Sequence, residues 1–73
     1  MKNDVFQSYI KDICHEIKVM AAAAKKERKD EYTSGYAMAL YEVVSLLQGQ
    51  ASAFQISPED IDLADIDADK DLL

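Results

Sequence analysis

The chain has 73 residues, a formal net charge of −6, 49% hydrophobic residues and a single cysteine. That length allows one domain with a small core and no more. The single cysteine excludes an intrachain disulfide, and a lone thiol suits a reducing compartment, so a cytoplasmic location is expected.

The opening stretch, MKNDVFQSYI, lacks the charged-then-apolar pattern of a secretion signal. The longest apolar run, VMAAAA, is far too short to span a bilayer. No membrane association is expected. Residues 1–54 carry seven Lys/Arg and seven Asp/Glu, whereas residues 55–73 carry one Lys and seven Asp/Glu. All the net charge therefore belongs to the C-terminal segment. The balanced body makes a poor footprint for nucleic acid.

The first predicted element is a helix over about 4–28. Phe6, Ile10, Ile13, Ile17, Met20 and Ala24 recur at alternating spacings of four and three, the period of an apolar helical stripe. Tyr9, Cys14 and Ala21 widen it. Lys11, Asp12, His15, Lys18 and Lys25 mark the polar side.

The second predicted helix covers about 31–54. Its seam is Tyr36, Leu40, Val43, Leu47, Gln50 and Phe54, with the same spacing but a phase shifted by two residues. On one continuous rod the two stripes would lie on nearly opposite sides, since each residue turns the helix by about 100°. A break between about Lys25 and Ser34 lets them face each other. The segment KKERKDEYTSG supplies it. Lys25, Lys26, Arg28 and Lys29 suit the negative end of the first helix, and Asp30 with Glu31 the positive start of the second. Thr33 or Ser34 is the alternative cap, and Gly35 could belong to the turn. The expected fold class is all-α: an antiparallel two-helix hairpin with a short C-terminal helix and extended acidic segment.

Residues 36–47, YAMALYEVVSLL, are apolar most of the way round the helix. Only Gly35, Glu42, Ser45 and Gly49 make a narrow outward face. One neighbouring helix covers one stripe, so further walls are required. The sequence predicts two sources for them. One is a second copy, two hairpins pairing into a four-helix bundle through Tyr36, Leu40, Val43, Val44, Leu47 and Phe54. The rival is a different protein chain that covers the same surface.

The other wall is the last stretch, QISPEDIDLADIDADKDLL. The alternation Asp65, Asp67, Asp69 resembles the start of a calcium loop, but Lys70 stands where glycine is needed and the twelfth-position Glu is absent. Metal binding is not expected. A free acidic arm would be poor in aliphatics, yet this one holds Ile56, Ile61, Leu63, Ile66, Leu72 and Leu73. Ser57 before Pro58, with Glu59 and Asp60 following, predicts a short helix over about 58–63. Ile56 and Ile61 are placed to form a staple across its start. The segment is expected to drape back over the hairpin, aliphatics inward and carboxylates outward. Asp62, Asp65, Asp67 and Asp69 are the candidates for docking a basic partner.

Little here suits catalysis. No glycine-rich phosphate loop, nucleophile–base pair or apolar carboxylate pair is present. Cys14 borders the apolar stripe and reads as a small buried hydrophobe. Asp12 and His15 share a helix face, but two ligands are too few for a specific metal site. Tyr9, Tyr32, Tyr36 and Tyr41 read as core edge. No enzyme activity and no cofactor are expected. The function expected is a non-enzymatic protein–protein interaction or regulatory module, a homodimer, with a structural subunit completed by a different chain as the alternative.

Overall fold

The computed structural model describes residues 3–73. Helix α1 spans Asn3–Lys26 and helix α2 spans Glu31–Ala53, packed against each other as a hairpin. A 3-10 helix over Pro58–Ile61 and a short helix α3 over Ala68–Leu72 follow. Among the described residues there is no strand. The shape is a rod, 45 × 19 × 16 Å.

The break between the helices falls where the charges predict it. Lys25 and Lys26 occupy the last turn of α1. Asp30 is the N-cap of α2, and its carboxylate accepts the Thr33 backbone N–H at 2.8 Å. Thr33 Oγ1 accepts the Asp30 N–H in return at 3.0 Å, closing a capping box. The Thr33 backbone N–H, then its hydroxyl, hold the Asp30 carboxyl below its ordinary value. Gly35 lies within α2, outside the turn.

The tail from Gln55 to Leu73 is packed. It leaves α2 through Gln55, a left-handed residue at φ 60°. It then runs from the open end of the hairpin back towards the turn, where Arg28 Nη1 donates to the Leu73 carbonyl at 3.4 Å. The basic turn therefore meets the end of its own tail.

The buried interior is shared three ways. One cluster joins Ala21 and Ala24 of α1, Ala37, Leu40 and Val44 of α2, and Ala68 and Leu72 of the tail. The other joins Cys14, Ala51, Ile61 and Leu63. The groove between the helices is lined largely by small side chains, and the tail fills it with large ones. Interdigitation of small and large residues is how a core this thin reaches close packing.

The registers differ from those expected. On α1 the buried positions are Cys14, Ala21 and Ala24, with Ile17 half-buried, while Phe6, Ile10, Ile13 and Met20 stay exposed. On α2 they are Ala37, Leu40, Val44 and Ala51, while Tyr36, Val43 and Phe54 stay exposed. Each helix packs against two neighbours, the other helix and the tail. Its buried face is centred between them, rotated away from the stripe of largest side chains.

The tail's local structure also departs from expectation. Ser57 makes no side-chain cap; Pro58 opens the 3-10 helix, which ends at Ile61. Asp62 terminates it in the left-handed region at φ 62°, a conformation Asp tolerates. Helix α3 was not anticipated. Asp67 caps it by accepting the Lys70 N–H at 3.1 Å, and Asp71 accepts the Asp67 N–H at 2.8 Å.

Candidate interaction surface

Two side chains of α1 pin the tail. His15 and Lys18 are three residues apart, so they share a face. His15 Nδ1 donates to Asp62 Oδ2 at 2.7 Å. Lys18 Nζ lies 3.1 Å from the same carboxylate and donates to Asp65 Oδ1 at 2.8 Å and to the Asp62 carbonyl at 2.6 Å. Hydrogen bonds from His15, then Lys18, hold the Asp62 carboxyl below its ordinary value. The Lys18 hydrogen bond does the same for Asp65. Desolvation pulls the Lys18 ammonium down, but its bonds to Asp65 and Asp62 outweigh this and leave it raised.

From α2, Gln48 Nε2 donates to the carbonyls of Leu63 and Ile66, at 3.2 and 3.0 Å. The Tyr41 hydroxyl donates to Asp69, and this bond pushes the phenol up. Beneath the tail, burial pushes the Cys14 thiol up, with Asp62 adding to the effect.

The four Asp residues proposed for docking a basic partner thus have internal partners. Asp62 and Asp65 pair with α1, Asp69 accepts from Tyr41, and Asp67 caps α3. Asp65, Asp67, Asp69 and Asp71 line an open trough of about 720 Å³ beside Ser45 and Gln48. Asp12 and His15 share a shallow polar hollow with Ser8, Lys11 and Asp62. Among the described residues no group of three or more His, Cys, Asp or Glu is placed to hold a metal. Among the described residues no helix is long and apolar enough to cross a membrane.

The expected interface residues divide. Leu40 and Val44 are buried within the chain, and Leu47 packs against the cluster around Leu63. They form this chain's own core. Tyr36, Val43 and Phe54 are exposed, the last by 72%.

Several of the exposed large side chains follow a pattern. Met20 and Val43 each lie two residues from the tail-gripping Lys18 and Tyr41, roughly 200° round their helices. They face away from the tail. At helical spacing with them stand Phe6, Tyr9 and Ile13 on α1 and Tyr36 and Phe54 on α2, all more than a third exposed. The hairpin thus has one face filled by the tail and an opposite apolar strip left bare. Helix α2 contains no Lys or Arg, and on α1 Glu16 stands at helical spacing with the strip. Phe6, Ile13 and Met20 were expected to face α2, whereas Tyr36, Val43 and Phe54 were expected both to face α1 and to meet a second copy.

Comparison with protein-family models, with curated proteins and with solved structures finds no match to this chain.

Proposed function

We propose that this chain is a non-enzymatic protein–protein interaction module that works as a homodimer, each copy covering the bare strip of the other. The observation that carries this is the strip itself. Aromatic side chains expose on the order of 150–250 Å² each when unpacked. Scaled by their exposures, the strip residues present roughly 800 Å², one partner's share of a standard interface. Two such faces make a four-helix bundle with the acidic tails outside. The outer surface then combines acidic tail edges with the short outward face of Gly35, Glu42, Ser45 and Gly49.

Light scattering over a range of protein concentrations tests this. A mass near twice 8.2 kDa that falls on dilution is expected. A monomer at every concentration would remove the homodimer.

A second reading is a structural subunit completed by a different chain, and one observation favours it. Glu16 stands among Tyr9, Ile13 and Met20, and the α2 half of a second copy offers it no cation. A partner helix with Lys or Arg would. Co-purification separates the two readings: the subunit stays monomeric alone and gains its partner only in the complex.

A further inference from the structure

The groove that the tail fills continues past Ile61. On α1, Gln7, Cys14 and Ala21 are one heptad apart and so share a face, with Ile10 beside them. The tail covers Cys14 and Ala21, which are 1% and 2% exposed, but leaves Ile10 41% exposed. Here, at the open end of the hairpin, a notch of about 410 Å³ lies between Phe6, Gln7 and Ile10 of α1 and Ile56, Asp60 and Ile61 of the tail. Its walls are apolar, and its one charged group is the Asp60 carboxylate. Among the described residues no cation pairs with that carboxylate.

The covered part of the groove shows what such a site takes. It seats the aliphatic side chains Ile61, Leu63 and Leu72, and the neighbouring carboxylates Asp62 and Asp65 meet the Lys18 ammonium of α1. At the notch the apolar walls recur with the charge reversed. The anion now belongs to the site, so an occupant that carries a cation would complement it. We infer that the notch is an anchor point for a segment of a partner protein, one that inserts a large apolar side chain and sets a Lys or Arg beside it, against Asp60. Phe6 borders both the strip and the notch, but Gln7, Ile10 and the tail residues of the notch lie off the strip, so a copy seated on the strip leaves them open. The proposal therefore goes beyond the homodimer and does not depend on it.

The test uses the full chain, 15N-labelled, and three short probes at millimolar concentration. Acetyl-leucyl-arginine amide supplies both features. Acetyl-leucyl-glutamate amide reverses the charge, and acetyl-glycyl-arginine amide removes the apolar anchor. Saturable shifts centred on Gln7, Ile10, Asp60 and Ile61 are expected with the first probe. The second should bind about two- to fivefold more weakly, the range of an exposed ion pair, and the third should not saturate. Asp60→Asn, a change on an exposed side chain, should equalise the first two probes. Three results would overturn the proposal: no saturable shift, shifts centred elsewhere, or a preference for arginine that survives Asp60→Asn. Light scattering on the same samples reads the dimer separately.

Discussion

His15 Nδ1 and Asp62 Oδ2 are 2.7 Å apart across 47 positions of sequence, and Lys18 closes on the same carboxylate. These contacts hold the tail to α1 and make its grip depend on pH. Asp62 and Asp65 have depressed folded-state values. Such groups contribute stability above their unfolded pKa, about 3.9, and lose it as pH falls through the folded value. Lys18 is raised. Its contribution is present below its unfolded value, about 10.4, and is lost as pH rises through the folded one. Thermal melts followed by circular dichroism should show a plateau through neutral pH and a fall at both extremes. Asp62→Asn should lower the melting temperature by a few degrees at pH 7 and flatten the acid limb. Asn tolerates the left-handed backbone at this position, so the change isolates the charge. Wild-type and variant curves that superimpose across the whole range would show that the clip contributes nothing to stability.

The groove beneath the tail depends on small residues facing large ones. Leu63 is 1% exposed against Cys14 and Ala51. Leu63→Ala should cost about 2–5 kcal/mol in urea unfolding, the range for emptying a packed core position. The converse, Ala51→Leu, overfills the same cluster and should cost about 1–3 kcal/mol. Both losses together identify a filled groove. If Ala51→Leu stabilised the chain instead, the tail would be loosely seated.

The helices were legible in the sequence because periodicity and capping act locally. Asp30 and Thr33 lie three residues apart, and the stripes along α1 and α2 are repeated over many turns. The interior was less legible. A stripe of Phe, Ile and Met resembles a core, yet Phe6, Ile13 and Met20 are exposed while Cys14, Ala21 and Ala24 are buried. Two helices and a tail can approach closely only where side chains are small, and that preference appears once all three are placed. The clip of His15 and Lys18 to Asp62 and Asp65 depends on the path of the tail. No local signal reports contacts 44–47 residues apart. Helix α3 was readable in principle: Asp67, placed before Ala68 and Lys70, is a capping signal that the calcium-loop comparison obscured.

Cys14 reports on the tail directly. Its thiol is 1% exposed beneath Ile61 and Leu63, and burial pushes its pKa up. Both effects slow reaction with a thiol reagent, which needs an accessible thiolate. In the native protein, labelling should run orders of magnitude slower than in urea. Lys18→Met, which removes part of the clip, should speed labelling while leaving helicity nearly unchanged. Equal labelling rates in the native and unfolded protein would mean that the tail leaves the groove open.

Val43 and Val44 are neighbours with opposite surroundings. Val44 is fully buried between α1 and the tail, whereas Val43 is 37% exposed on the bare strip. Val44→Glu places an unpaired carboxylate in the core. The cost should be about 3–5 kcal/mol, comparable to the whole stability of a small domain, so the chain should unfold or nearly so. Val43→Glu should change the stability of the hairpin by no more than about 0.5 kcal/mol, because the new carboxylate stays in water. In a homodimer, however, it would be pressed into the apolar interface beside the acidic Glu16. The expected result is a folded chain, with a melting curve that no longer depends on concentration and a solution mass that drops to the monomer. If Val43→Glu instead left the dimer intact, the two copies would have to meet through a different face.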